Sequence, residues 1–265
     1  MYINKNIKNI FLLLLTITVV SCSSDNESVP QVRTYEEVKA DFEKLTFSPG
    51  INDMEIEGTF DNVIWRFRVI IPLDASSTNK RPLIVALHGG ATIINVDLHK
   101  NTACLTEPGF EDWDAFILAP NSDGFIWYDV PNQDKVITLT KLLKEFLNVN
   151  KNKIAITGYS DGGNGAWYFS QYYPQEFSAS IPMASSYNPV RRGLPSSKID
   201  IPMYVIHGAN DQLFTLPITQ GYVDETINAG TDLKFVIANG LEHYNSCFYV
   251  PYLKDAATWL DTVVW

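Results

Sequence analysis

Hydrophobic residues fall into three successive patterns along the chain. From Tyr35 to Leu45 they stand at positions 35, 38, 42 and 45, the spacing of one helix face. From Met54 to Phe60, and again from Val63 to Ile71, apolar and polar residues alternate, as in strands with one wetted face. Asp61-Asn62 between these runs reads as a hairpin turn, so the two strands are expected to pair antiparallel at one edge of a sheet. From Leu83 the alternation gives way to continuous apolar runs: 83–87, 116–119, 153–157, 180–183, 203–206 and 234–238. Such runs predict strands covered on both faces. Helical stretches at about 136–146, 164–173, 217–229 and 251–263 separate most of them. Strands alternating with helices predict an α/β fold, with about eight mostly parallel strands and helices on both faces.

The N-terminus departs from this pattern. Lys5 and Lys8 precede an apolar run from Phe11 to Val20, interrupted by Thr16 and Thr18. That run is too short to span a bilayer and fits the core of a signal peptide. It ends in Val19-Val20-Ser21-Cys22, which resembles the lipobox of bacterial lipoproteins. The resemblance implies removal of residues 1–21 and lipidation of Cys22. Residues 22–33 are polar and acidic and read as a flexible tether, leaving 34–265 as the folded domain. The expected location is the bacterial cell envelope, at the outer membrane, through a lipid anchor. Export leaves Cys104 and Cys247 in an oxidising compartment, where a bridge and two free thiols are both compatible with the sequence. A bridge would brace the loop holding His243, four residues before Cys247.

The formal charge of −10 and the lack of a clustered basic stretch argue against a nucleic-acid partner. No Walker loop or dinucleotide fingerprint calls for a cofactor, and no spacing of ligands calls for a metal.

The chemistry concentrates in Gly158-Tyr159-Ser160-Asp161-Gly162-Gly163, between an apolar strand and a helical stretch. Strand, Gly-x-Ser-x-Gly and helix in that order describe a nucleophile elbow, with Ser160 lifted out of the sheet. A serine needs a base, and the base needs an orienting group. Of four histidines, only His243 lies in a late loop beyond the last strand; His88 and His207 end strands and are expected to bond neighbouring backbone. The acid is expected between serine and histidine in the chain. Asp211 is best placed, five residues past the strand ending at Ile206; Asp200 precedes its strand, and Asp224 and Glu225 read as helix surface. His88-Gly89-Gly90-Ala91 after the third strand supplies one half of an oxyanion hole through Gly90 or Ala91. The amide of Asp161 supplies the other.

These segments, with Ala119-Pro120-Asn121, resemble the α/β-hydrolases from about Val63 to the C-terminus. The nearest resemblance is to exported esterases: feruloyl esterases, acetylxylan esterases and polyhydroxybutyrate-depolymerase-like enzymes. It implies an α/β-hydrolase fold, with Ser160 as nucleophile, Asp211 as acid and His243 as base. Asp161 departs from the group's pattern. A carboxylate there weakens the neighbouring donor unless it turns away or is paired. The short stretch 185–200 leaves no room for a large lid. Trp127 and Tyr128, after the fourth strand, are candidates for stacking on a sugar or phenolic acyl group. The expected activity is hydrolysis of acyl esters, such as acetyl or feruloyl groups on plant polysaccharides. Two rivals remain: a prolyl-oligopeptidase-type peptidase, and a catalytically inactive glycan-binding lipoprotein.

Overall fold

The computed structural model describes residues 32–60, 62–190 and 195–265. The leader, Cys22 and most of the tether lie outside these residues. The last two tether residues do not hang free. Val32 bridges Phe60, the Arg33 N–H reaches the Thr59 carbonyl at 2.7 Å, and the Arg33 guanidinium pairs with Asp41. Val32 and Arg33, which the sequence reads as tether, therefore pack on the folded body.

Eight strands form one sheet: β1 (Gly50–Glu57), β2 (Ile64–Ile71), β3 (Arg81–Leu87), β4 (Phe116–Pro120), β5 (Val149–Tyr159), β6 (Ala179–Met183), β7 (Met203–Gly208) and β8 (Leu233–Ala238). Their order is β1-β2-β4-β3-β5-β6-β7-β8. β2 runs antiparallel to both neighbours, and β4 through β8 are paired in parallel with β3 among them. β1 begins four residues earlier than the alternation indicates, because Gly50 pairs opposite Ile71 and Asn52 turns its side-chain amide onto the Ser48 and Gly50 carbonyls.

The apolar strands are covered on both faces, and residues of one strand alternate between two cores. Leu83, Val85 and Leu87 of β3 enter one, and Ile84 and Ala86 the other. The first core also takes Val38 and Phe42 of α1 (Tyr35–Phe42), the apolar face of α3 (Val130–Phe146) and Trp167 and Phe169 of α4 (Asp161–Tyr172). Val223 of α5 (Leu216–Asn228) joins them. On the opposite face, Leu105 precedes the single turn α2 (Thr106–Gly109) and packs with Leu253, Ala256 and Ala257 of α6 (Val250–Trp259). α1 starts as its sequence dictates. Thr34 caps the Glu37 amide and Glu37 returns the bond to the Thr34 amide. α3 starts six residues before the predicted stretch, because Pro131 sits in the first turn, where its missing N–H has no partner to lose.

This topology brings the carboxyl ends of β3 to β8 to one rim, where open α/β sheets form their sites. Among the described residues, no helix is long and apolar enough to cross a membrane, and no group of three acidic, histidine or cysteine side chains could hold a metal.

Candidate active site

The turn between β5 and α4 is closed by steric necessity. A Cβ on Gly158 would lie 2.2 Å from the Gly162 carbonyl oxygen, and one on Gly162 would lie 1.9 Å from that of Leu87. Only glycine fits at either place. Ser160 between them adopts φ 56° and ψ −120°, a region that side-chain-bearing residues rarely occupy and that costs about 1–3 kcal/mol. The strain is held by the packed strand below and by a bond from the Ser160 N–H to the Met183 carbonyl at 3.0 Å.

Loops from β7 and β8 complete the arrangement. Ser160 Oγ lies 2.8 Å from His243 Nε2, and His243 Nδ1 lies 2.8 Å from Asp211 Oδ2. The other Asp211 oxygen accepts the amides of Leu213 at 2.9 Å and Phe214 at 2.7 Å. His243 and the Asp211 carboxylate are buried. Phe214 and Tyr244 present their rings edge-on to the imidazole at 5.0 and 5.3 Å. A carboxylate fixed by two amides, an imidazole fixed by the carboxylate, and a hydroxyl within reach of the imidazole can together abstract a proton from Ser160 and return it. Tyr159 also donates its hydroxyl to the His243 carbonyl, holding the base's own backbone. Tyr159 was not singled out from the sequence, because nothing in Gly-x-Ser indicates where the intervening side chain will reach.

The oxyanion loop differs from expectation at one residue. The Ala91 N–H is taken by Asp161 Oδ2 at 3.0 Å, so Ala91 is not an available donor. The Asp161 side chain has turned from the helix start to the loop opposite. The Gly90 N–H has no acceptor among the described residues, and the Asp161 N–H opens a helix whose first amides lack intrahelical partners. The rest of the loop is clamped as well. Ser122 donates its hydroxyl to the Ala91 carbonyl at 2.6 Å, and the Trp127 indole donates to the His88 carbonyl at 2.9 Å. The Ser122 N–H donates to His88 Nε2 at 3.1 Å, which leaves the His88 proton on Nδ1, bonded to the Gly89 carbonyl at 2.8 Å.

Two predictions arise here. Asp161→Ala frees the Ala91 amide and loosens the loop. The expected result is a fall in kcat of about ten- to a hundredfold on an aryl acetate, with KM nearly unchanged. Asp161→Asn keeps an oxygen for Ala91 and should retain most of the rate. Equal kcat for Asp161→Ala and the parent would show that the carboxylate braces nothing. The second prediction concerns acid. Burial pushes His88 down to about 4, and burial also lowers His99 and His207. Unfolding therefore takes up protons between pH 6.5 and about 4. Stability is full above pH 6.5 and falls as pH drops through that window, with His88 alone accounting for roughly 3 kcal/mol. Denaturant titrations at pH 7 and pH 5 should show the loss; equal midpoints would contradict it.

Trp127 does not stack on substrate. Its ring is fully buried, and its one polar atom is bonded to His88, because the turn after β4 folds it under the loop. Tyr128 is half-buried, with its ring 5.6 Å from Tyr168 and 6.5 Å from Tyr187. Cys104 and Cys247 form a disulfide, with Cα atoms 5.0 Å apart. It ties the segment after Leu98 to the loop that carries His243. Beside the elbow, a cavity of about 470 Å³ extends from Gly89 and Tyr159 to the disulfide-held segment.

Residues 131–258 match the model of the dienelactone hydrolase family. Comparison with curated proteins finds no match. Among solved structures, the chain is similar to a thermostable esterase (TM-score 0.65, 22% identity, 80% of this chain and 62% of that one). It is also similar to an esterase of Pyrobaculum calidifontis (0.64, 17%, 87% and 92%). A third is the fluorophosphonate-binding serine hydrolase F of Staphylococcus aureus (0.62, 16%, 80% and 99%). The chain thus spans less than two thirds of the first of these and nearly all of the other two. It has the α/β-hydrolase fold, and the segment carrying Ser160, Asp211 and His243 is the one that matches the dienelactone hydrolase family.

Proposed function

We propose that the protein is a serine carboxylic-ester hydrolase, exported and anchored by lipid at Cys22. The observation that carries this reading is the continuous hydrogen-bond chain from Ser160 through His243 to Asp211, set on a glycine-flanked elbow. In the mechanism it supports, Ser160 Oγ attacks the ester carbonyl as His243 Nε2 takes its proton. Asp211 holds the imidazole in the tautomer that accepts at Nε2 and stabilises the imidazolium. The amides of Gly90 and Asp161 receive the negative charge of the tetrahedral intermediate. The imidazolium then protonates the leaving alkoxide, and water repeats the sequence in reverse on the acyl-enzyme.

Acyl esters on plant polysaccharides, acetyl or feruloyl, are the substrates this reading favours. The short 185–200 connection, which leaves no room for a large lid, supports access by a polymer, and the envelope anchor read from the sequence supports work outside the cell. The test compares p-nitrophenyl acetate, an aminoacyl p-nitroanilide and acetylated or feruloylated polysaccharide. Release from the esters with the anilide untouched is expected. Cleavage of the anilide alone would point to a peptidase instead, and inertness toward every ester would refute the reading.

A further inference from the structure

We propose that Tyr244 is a specificity-determining residue for the alcohol part of the ester, and that the alcohol it favours is an uncharged sugar. This rests on the esterase reading above and names the leaving group for the same site. The mechanism fixes where that alcohol lies. The negative charge of the intermediate sits at the amides of Gly90 and Asp161. The leaving oxygen takes its proton from His243 Nε2, so it comes within hydrogen-bond reach of that nitrogen. The alcohol is therefore on the imidazole side of the reacting carbonyl. Three aromatic rings stand around that imidazole: Tyr159 at 5.9 Å between ring centres, Phe214 at 5.0 Å and Tyr244 at 5.3 Å.

The fold accounts for two of the three. Tyr159 is half-buried and donates its hydroxyl to the His243 carbonyl. Phe214 is half-buried as well, and its backbone is engaged twice, the N–H by Asp211 and the carbonyl by His207. Tyr244 is engaged in neither way. It is 83% exposed, and its hydroxyl bonds no group among the described residues. Its ring stands at 84° to the imidazole plane. With the two ring centres 5.3 Å apart, a group carried on the oxygen that Nε2 protonates comes into contact range of the Tyr244 ring. A rigid ring with a polar tip, held beside the base and open to water, is a platform for that group. Its openness decides the class of alcohol. An apolar alcohol gains most where it is enclosed, and one exposed ring encloses nothing. A sugar lays a face of C–H bonds on the ring and keeps its hydroxyls in water. Glu242, the preceding residue, is exposed with no ion-pair partner among the described residues, and its charge disfavours an acidic sugar.

The experiment measures kcat and KM on two acetates that share one acyl group. One is a monoacetylated methyl β-xylopyranoside; the other is 2-hydroxyethyl acetate, whose alcohol has the same neighbouring hydroxyl and no ring. The proteins are the parent, Tyr244→Phe and Tyr244→Ala. The quantity read is the ratio of kcat/KM for the sugar acetate to that for the small one, in which any disturbance of the base common to both cancels. Tyr244→Ala should lower the ratio about five- to tenfold, the scale of one aromatic contact, through a higher KM for the sugar acetate. Tyr244→Phe keeps the ring and should keep the ratio. A ratio in Tyr244→Ala equal to the parent's would overturn the proposal. So would a fall carried by kcat at unchanged KM, which would make Tyr244 a support of the base and not a contact of the alcohol. A parent that hydrolyses 2-hydroxyethyl acetate and not the sugar acetate would overturn this proposal and leave the esterase reading standing. A parent inert toward both and toward p-nitrophenyl acetate would overturn the esterase reading, and this proposal with it.

Discussion

Ser160→Ala should lower kcat on p-nitrophenyl acetate by about 10⁶, to the rate left by binding and the oxyanion donors alone. The geometry places this hydroxyl to form a covalent intermediate, with His243 Nε2 at 2.8 Å to receive its proton. Alanine keeps the Cβ and the backbone shape, so the far-ultraviolet spectrum and thermal midpoint should stay close to those of the parent. His243→Ala should cost about as much. The double variant should be no worse than either single one, because the serine and the histidine act as a unit and their losses do not add. Additive losses would mean that the two residues do not share one step. A Ser160→Ala variant within tenfold of the parent would remove the serine from the chemistry.

Asp211→Asn is expected to lower kcat by about 10⁴ with little change in fold. The reason lies in how the carboxylate divides its bonds. Oδ1 accepts the Leu213 and Phe214 amides, while Oδ2 faces His243 Nδ1. An asparagine has one oxygen, and two backbone amides claim it. Its NH₂ group must then face Nδ1, which can only accept. The ring proton moves to Nε2, toward Ser160, and the base can no longer take the serine proton. An Asp211→Asn variant that keeps a tenth or more of the parent kcat would show that His243 is oriented by something else. His207, whose Nε2 lies 3.9 Å from Asp211 Oδ2, is not such a substitute, because that nitrogen donates to the Phe214 carbonyl at 2.7 Å.

The parts of the site legible in the sequence are those fixed by sterics or by two-sided burial. Gly158 and Gly162 announce the elbow because any Cβ at either position would collide with backbone. The apolar runs announce the parallel strands because both faces are covered, as Ile154 and Ile156 on one face of β5 and Ala155 on the other illustrate. Once the strands are placed, the rim residues that follow them are placed as well, which is why Asp211 and His243 can be named without coordinates. Side-chain direction within a loop carries no such signature. In Phe125-Ile126-Trp127-Tyr128 all four residues are apolar or aromatic, and no periodicity tells that Trp127 turns inward while Phe125 is half exposed. The reach of Asp161 to Ala91 depends on two loops meeting across the sheet, a distance that sequence spacing does not encode.

The central claim is that Ser160 is activated as a nucleophile by His243 and Asp211. It is tested most directly by reacting the folded protein with a fluorophosphonate and mapping the product by mass spectrometry. The account predicts one equivalent of adduct on Ser160, none on any other residue, and strongly slowed labelling in His243→Ala. An adduct on a different side chain, or no adduct on protein that is demonstrably folded, would contradict it.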